Sequence, residues 1–287
     1  MDADTEIQNE QARLWNGPAG RAWVDSQELL DRLLKPFEDL LVATVANGSP
    51  QRVLDVGCGT GSTTLAIARR LDTQGTAVGV DISAPMIALA RKRAEREPFA
   101  TTFICADAQS HAFETASVDL ILSRFGVMFF ADPIRAFANL RRAVRDDGRI
   151  TFIGWRSADE NPFMTTAERA AAPFLPELAP RRPNAPGQFA FANRERVRTI
   201  LQESGWNEIE IRSIDVVCVL PEKDLVRYVT RLGPVGLALE KADERTRTQI
   251  VEKIRPAFDA YVDGDEVRVT AASWMVSARP AHAAGAD

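Results

Sequence analysis

The sequence predicts an α/β fold: a doubly wound, mostly parallel sheet of seven strands, with an antiparallel last strand and a helical cap. The stretch VLDVGCGTGSTTLAIA (53–68) is typical of a strand, a glycine loop and a helix in succession. Strand-like runs then alternate with helical or polar segments up to residue 155, which favours parallel pairing. Two long β-branched segments near the end enclose about 45 residues of helical pattern, so they are expected to be antiparallel neighbours.

The elements follow from local signals in chain order. After the first strand, the predicted strands are TAVGVDIS (76–83), TTFICAD (101–107), SVDLILSRF (117–125), RITFIGW (149–155), EIEIRSIDVVCVL (208–220) and EVRVTAASWMVSARP (266–280). Ser83 stands where the N-cap of a helix belongs, and another helix is expected to begin at Asp132. That second helix is predicted to continue through Val144 and to end at Gly148. A ligand of such a sheet binds at the carboxyl ends of the strands, beside the first strand.

One domain with large additions is expected from this length. The predicted divisions are an N-terminal helical lid (1–48), a ligand-binding core (49–156), a Pro-rich insertion over the substrate (157–192), a helix and strand that complete the core (193–219), a helical cap (220–263), the last strand (264–280) and a tail (281–287).

Composition narrows the class of partner. The net charge is −5 and no long basic run exists, which disfavours nucleic acid and anionic membranes as partners. Three widely separated cysteines and the absence of HxH, HExxH or CxxC clusters disfavour a disulfide framework and a bound metal. No apolar window approaches the length of a membrane span. A cytoplasmic protein with a small-molecule partner is therefore expected; the oligomeric state is left open.

The glycine loop and two acids indicate what the ligand is. Gly57, Gly59 and Gly61 would let backbone N–H groups approach a phosphate or a carboxylate, so the loop alone is a weak signal. Asp81, at the end of the second strand, suits ribose hydroxyls. Asp55, two residues before the first glycine, would repel a pyrophosphate and attract an ammonium group. The combination favours a nucleoside that carries an amino acid.

Four motifs in this order, VLDVGCGTG, GVDIS, ADA and DLILSRFGVMFF, resemble those of the class I S-adenosylmethionine-dependent methyltransferases. The similarity is to the small-molecule subgroup that includes the ubiquinone and menaquinone methyltransferases. It implies a Rossmann-like fold and S-adenosylmethionine as the cofactor. LWNGPAGRAWV (14–24) also resembles the N-terminal lid of a bacterial subgroup. The implied cofactor-binding residues are Trp15, Gly20, Trp23, Asp55, Gly57, Gly59, Gly61, Asp81, Ile82, Met86, Asp107, Ala108 and Ser123.

The resemblance also implies roles for these positions. The glycines would wrap the methionine part with Asp55 near its amino group, Asp81 would bind the ribose, and Asp107 with Ala108 would lie beside the adenine. Ser123 and Arg124 would face the reacting methyl group. The tryptophans of the lid would cover the cofactor, although tryptophans on an amphipathic helix commonly just pack.

Catalysis by methyl transfer asks little of side chains, because an in-line displacement depends mainly on proximity and orientation. His111 could serve as a base or lie in a surface loop, and His282 lies in a polar tail. Arg124 could orient an acidic acceptor or pair with a carboxylate. The expected acceptor is small and largely apolar, either ring-bearing or lipid-like; the sequence leaves open whether oxygen, nitrogen or carbon is methylated.

Three other functions compare less well with the sequence or remain open. A short-chain dehydrogenase is excluded because neither Tyr228 nor Tyr261 has a lysine four residues later. A nucleic-acid base methyltransferase is disfavoured because Ser123-Arg124-Phe125-Gly126 stands where such enzymes commonly carry Asn- or Asp-Pro-Pro-aromatic. A regulatory or assembly protein that binds S-adenosylmethionine without turnover remains an alternative.

Overall fold

A computed structural model describes residues 3–45, 51–175, 178, 181–182, 184–240 and 242–281. The strands are β1 (Arg52–Val56), β2 (Thr76–Asp81), β3 (Thr101–Cys105), β4 (Val118–Arg124), β5 (Val144–Trp155), β6 (Trp206–Pro221), β7 (Val262–Asp263) and β8 (Glu266–Pro280). The helices are α1 (Ala3–Asn16), α2 (Pro18–Asp25), α3 (Gln27–Leu33), α4 (Lys35–Val42), α5 (Ser62–Leu71), α6 (Ala84–Ala94), α7 (Pro133–Ala143), α8 (Pro162–Ala171), α9 (Arg194–Glu203), α10 (Leu225–Arg231), α11 (Gly233–Glu240) and α12 (Glu244–Ile254).

The strands form one sheet in the order β3-β2-β1-β4-β5-β8-β6. The first strand, β1, is central and pairs in parallel with both β2 and β4. The last strand, β8, runs antiparallel between β5 and β6. This topology confirms the predicted doubly wound α/β fold. The two-residue β7, which pairs with β8, is an addition to the seven predicted strands.

Apolar strand residues and the helices around them form the main core. Trp206 at the start of β6 is fully buried, and its indole N–H donates to the carbonyl of Phe137 in α7 at 3.0 Å. A smaller cluster joins Cys58, Leu65 and Phe103 beneath α5 and α6. Burial of such side chains from water is the main stabilising contribution to a fold of this kind.

The helix predicted to continue through Val144 to Gly148 ends instead at Ala143, so its predicted end is wrong. Val144 begins β5 and pairs with Val118 of β4, where a β-branched side chain is favourable. Gly148 is required by close approach: a Cβ there would lie 2.6 Å from Val144 Cγ2 and 2.8 Å from the Asp119 carbonyl oxygen. The glycine therefore belongs to the strand.

The remaining segments carry helices where helical additions are predicted. Helices α1 to α4 precede the sheet, α8 lies in the Pro-rich segment, and α10 to α12 separate β6 from β8. The predicted domain limits stay predictions; positions 48 and 49, like His282 in the predicted tail, lie outside the described residues. Within the described ranges, no helix is both long and apolar enough to cross a membrane.

Candidate cofactor and acceptor site

A cavity of about 430 Å³ lies at the carboxyl ends of the strands, as the sheet topology predicts. Residues at or directly after the ends of four strands line it: Asp55 at β1, Asp81 at β2, Arg124 at β4 and Trp155 at β5. Helices from the N-terminal segment and from the α10–α11 region close the opposite side. Of the predicted cofactor-binding residues, those that line the cavity are Trp15, Trp23, Asp55, Gly57, Gly59, Asp81, Ile82, Met86, Asp107 and Ala108.

The glycine loop after β1 has a backbone that favours glycine at each of its three predicted positions. The φ angles are +68° at Gly57, +56° at Gly59 and +85° at Gly61. A Cβ on Gly57 would lie 2.6 Å from the Cα of Gly126, and one on Gly61 would lie 2.8 Å from Phe103 Cζ. A Cβ on Gly59 would lie in ordinary contact with Met86 Sδ, at 3.7 Å. The outer glycines thus allow close packing, while Gly59 is needed for its backbone conformation and lines the cavity.

Asp81 holds the loop in place from the end of β2. Its carboxylate accepts hydrogen bonds from the backbone N–H groups of Gly59 and Ser83, each at 2.8 Å. Burial raises the pKa of Asp81, and the backbone donors oppose that rise. Ser83 occupies the N-cap position of α6 as predicted, but its hydroxyl donates to the carbonyl of Trp15 instead of capping the helix.

Asp55 lies deeper and is only half satisfied. One carboxylate oxygen accepts a 2.7 Å hydrogen bond from the Thr64 hydroxyl, whereas Oδ1 has no partner among the described residues. Burial raises the pKa of Asp55 to about 6, although Thr64 and the Arg124 charge favour its ionised form. A buried carboxylate with an unpaired oxygen at a cavity suits a cationic group of a ligand.

Asp107 joins the cavity to the first helix. One of its oxygens accepts from the backbone N–H of Gln109 at 2.8 Å, and the other accepts from the side-chain amide of Gln8 in α1. Ala108 is buried beside it. The residues predicted to lie near an adenine are therefore held by an element of the predicted lid.

Arg124 pairs with a carboxylate that sequence reasoning missed. Its Nη1 lies 3.9 Å from Oε2 of the buried Glu38 in α4, which also accepts a hydrogen bond from the Ser62 hydroxyl. A signal for Glu38 existed in the sequence: it falls between Leu34 and Leu41 on the apolar face of a helix, where an acid requires a partner.

Aromatic rings form one wall of the cavity. Phe125 and Trp155 stack with their centroids 3.9 Å apart and their planes 3° apart, and Phe37 meets both rings edge-on. Phe125 has a φ of +66°, an uncommon conformation for a bulky residue and one that clusters at functional sites. Sequence reasoning singled out this run of aromatics but contained no signal for that backbone conformation.

Comparison with known proteins decides the family. Residues 53–148 match a family model described as a methyltransferase domain. The chain is 32% identical over 171 residues to an aklanonic acid methyltransferase of Streptomyces sp. (strain C5), a match that covers 58% of this chain and 73% of that protein. The chain belongs to the class I S-adenosylmethionine-dependent methyltransferases.

One further relative agrees with this assignment, and one solved structure shares the fold. A demethylmenaquinone methyltransferase of Thermus thermophilus is 33% identical over 131 residues, which cover 44% of this chain and 59% of that protein. The crystal structure of the YcgJ protein from Bacillus subtilis covers 87% of this chain and 100% of that chain, with a TM-score of 0.57 and 16% identity, and so supports the fold. S-adenosylmethionine is the cofactor of this methyltransferase.

The site of this methyltransferase fits that cofactor. The unpaired Asp55 Oδ1 suits an ammonium group, and Gly57 and Gly59 present backbone without side chains to the cavity. Asp81 and Asp107 present two further carboxylates along the same cavity. Carboxylate oxygens accept hydrogen bonds from ribose hydroxyls and from amino groups.

The methyltransferase carries its predicted lid tryptophans over the cavity. Trp15 meets Trp23 edge-on at 6.1 Å between centroids, and it meets Phe129 edge-on at 5.0 Å. Gly20 is buried and does not line the cavity; a Cβ there would lie 1.9 Å from the Trp15 carbonyl oxygen. Gly20 therefore lets the two helices pack closely, and the tryptophans both pack and cover the site.

Four predicted residues lie outside the cavity lining: Gly20, Gly61, His111 and Ser123. Ser123 is fully buried, donates to the Val56 carbonyl at 2.7 Å and accepts from the Val127 N–H at 3.2 Å. The hydroxyl of Ser123 thus ties the ends of two strands together, and its predicted place at the methyl group stays a prediction. The His111 ring lies against Phe113 with centroids 4.7 Å apart, which favours the surface-loop interpretation.

Proposed function

We propose that this methyltransferase transfers the methyl group to a small, largely apolar acceptor that is ring-bearing or lipid-like. The observation that carries this proposal is the composition of the cavity, whose lining combines carboxylates and the glycine loop with the apolar side chains of Trp155, Phe163 and Met164. Such a combination suits a polar nucleoside beside an apolar molecule. The names of two relatives, which refer to aklanonic acid and demethylmenaquinone, agree with this acceptor class.

The cofactor would be held by residues that the sequence already indicates. We infer that Asp81 binds the ribose, that Asp55 with Gly57 and Gly59 binds the methionine part, and that Asp107 with the neighbouring alanine lies at the adenine. When bound, the cofactor supplies an activated methyl group on a sulfonium. Burial of Asp55 and Asp81 supports the assignment, because a ligand with cationic and hydroxyl groups offsets the cost of keeping these acids from water.

The chain would act by positioning and by excluding water. Bringing a nucleophile to near-attack distance supplies much of the barrier reduction for a displacement of this type. His111 lies outside the cavity lining, so we assign it no role as a base. Arg124 lines the cavity and keeps its charge balanced by Glu38, so we propose that it orients a polar end of the acceptor.

The cofactor assignment is tested by Asp81→Asn. We expect the variant to bind S-adenosylmethionine about 1–3 kcal/mol more weakly, because a charge-assisted hydrogen bond to the ribose is lost. Isothermal titration calorimetry measures the difference. The matched control is Asp119→Asn. Asp119 lies near the start of β4, away from the strand end that lines the cavity, and pairs with Arg145. Unchanged affinity in a folded Asp81→Asn protein would contradict the ribose assignment.

Turnover is tested with labelled S-adenosylmethionine and a panel of quinones, phenols and lipids. The proposed function requires label in a product that partitions into organic solvent. Cofactor binding without transfer to any member of the panel would favour the non-enzymatic alternative. Tighter binding of a nicotinamide dinucleotide than of S-adenosylmethionine would contradict the cofactor.

A further inference from the structure

Tyr228 of α10 lines the cavity on the side opposite the strand ends. Its ring packs against the main hydrophobic core. Within the described ranges, no hydrogen bond to its hydroxyl exists, whereas two other polar side chains of the same helix have partners: Arg227 donates to the Asp25 carbonyl and Thr230 to the Val226 carbonyl. The one polar atom that Tyr228 offers is thus left for a ligand.

The Tyr228 hydroxyl is unpaired and is not sealed from solvent. The described side chains that contain a sealed, unpaired polar atom are Gln11, Ser26, Asp55, Arg196 and Ser273. Tyr228 is not among them, and its side chain is only partly buried where it packs against the core. A tyrosine hydroxyl that packs inside a protein normally finds a partner, so an accessible and unused one at a cavity indicates a ligand contact.

The protonation state of the Tyr228 phenol decides what kind of ligand atom it would contact. Burial, with a smaller contribution from the Cys218 thiol, raises the pKa of Tyr228 to about 12. The phenol therefore keeps its proton at neutral pH and donates a hydrogen bond. Its natural partner is a carbonyl or hydroxyl oxygen, whereas an acceptor made of hydrocarbon alone would leave the donor unsatisfied.

We propose that Tyr228 is a specificity-determining residue that donates a hydrogen bond to an oxygen on the ring system of the methyl acceptor. The substrate class is then an oxygen-bearing cyclic compound, which lies among the aromatic side chains of the wall formed by Phe125 and Trp155. This inference rests on the proposed function, since it assigns the apolar part of the cavity to the acceptor. It adds a directional polar contact to the part of the cavity that contains the stacked Phe125 and Trp155 rings.

The test compares two probes that differ by one carbonyl oxygen, 1-tetralone and 1,2,3,4-tetrahydronaphthalene. Their dissociation constants are measured by ligand-observed NMR on protein saturated with S-adenosylhomocysteine. Tyr228→Phe is expected to weaken 1-tetralone binding by about three- to tenfold relative to the hydrocarbon. Tyr261→Phe is the matched control, because Tyr261 lies against Phe258 and does not line the cavity. It should leave the ratio unchanged.

The outcomes distinguish a failure of the Tyr228 hydrogen bond from a failure of the proposed function. An unchanged ratio in Tyr228→Phe overturns the hydrogen bond, and so does an equal change in Tyr261→Phe. Failure of both probes to bind the loaded wild-type protein overturns the assignment of this wall to the acceptor. Failure of the wild-type protein to bind S-adenosylhomocysteine contradicts the proposed function instead. Unchanged S-adenosylhomocysteine affinity in Tyr228→Phe shows that this variant is folded.

Discussion

Asp55 is a carboxylate in a place that penalises its charge. Its surroundings include the Thr64 hydroxyl and the Arg124 charge, which favour the ionised form, and the charges of Asp81 and Glu38, which oppose it. Burial outweighs the favourable contacts and raises the pKa of Asp55 to about 6. A bound cation at this position would reverse the balance, so the ligand and the proton compete.

We expect the affinity for S-adenosylmethionine to fall as the pH is lowered from 7 to 5. Because the pKa of Asp55 is raised in the ligand-free protein, the group holds a proton below about pH 6, and binding of a cation must release it. Calorimetry in two buffers of different ionisation enthalpy should detect proton release that sets in as the pH falls through about 6 and is largest below that pH. Asp55→Asn should flatten this dependence; proton uptake in the wild-type protein would contradict the argument.

The glycine loop provides a second prediction for single residues. Gly57→Ala and Gly59→Ala impose similar left-handed strain, but only the former adds a backbone collision, 2.6 Å from the Cα of Gly126. We expect each to cost about 1–3 kcal/mol through strain, with Gly57→Ala the more destabilising. Denaturant unfolding of the ligand-free proteins measures the difference. Equal losses would show that the strand ends separate at little cost.

The N-terminal helices are joined to the cap by exposed polar contacts. Arg227 of α10 donates to the Asp25 carbonyl, Arg32 lies 3.5 Å from Asp224, and Arg21 lies 3.9 Å from Glu240. Exposed ion pairs of this kind contribute little individually. Among the residues of α1 and α2 whose burial is described, only Gly20 is buried. These helices therefore cover the cavity without belonging to the core.

Deletion of residues 1–25 is expected to raise the dissociation constant of S-adenosylmethionine and to leave the melting temperature of the ligand-free protein nearly unchanged. The reason is that Trp15 and Trp23 line the cavity, while most residues of the two helices that carry them are half-buried or exposed. Calorimetry and differential scanning fluorimetry measure the two quantities. Full-length Trp15→Ala should reproduce part of the loss of affinity, and Arg13→Ala, on an exposed position, should not. A collapse of ligand-free stability would place these helices in the core.

In the whole molecule, distant segments meet around one cavity. The strand ends supply its polar part, and α8 with the α10–α11 region supplies much of its apolar part. Phe163 is buried and Met164 half-buried in that lining. Two other aromatics of the Pro-rich segment are not part of that lining: Phe174 is 45% exposed, and Phe189 lies under Arg181. Only some of the aromatic residues of this segment thus contribute to the proposed acceptor wall.

Phe163→Ala is expected to raise the KM for the acceptor by an amount that corresponds to about 1–3 kcal/mol, while cofactor affinity changes far less. The reason is the loss of apolar surface at the proposed acceptor wall. Steady-state kinetics with a substrate from the turnover panel measures KM, and calorimetry measures cofactor binding. Phe174→Ala, an exposed phenylalanine in the same segment, is the control and should change neither. Lost cofactor affinity with an unchanged acceptor preference would place Phe163 on the cofactor side.

The sequence by itself determined the strand order along the chain, the glycine loop and the acids Asp55 and Asp81. These features are local: a hydrophobic run, the glycines and the acids follow one another within single β-α units, and the carboxyl ends of parallel strands meet at one edge. Periodicity failed at Val144, because helix and strand both accept a valine and pairing with Val118 decided between them.

Only the tertiary structure decided which side chains meet. Glu38 and Arg124 are far apart in sequence, the Ser123 hydroxyl donates to the Val56 carbonyl, and Tyr228 lines the cavity from a cap helix. The direction of each side chain depends on the packing of elements that are not neighbours in the chain, and a local pattern contains no record of that packing. Local order therefore predicts the proposed cofactor part of this site, and long-range packing creates the proposed acceptor part.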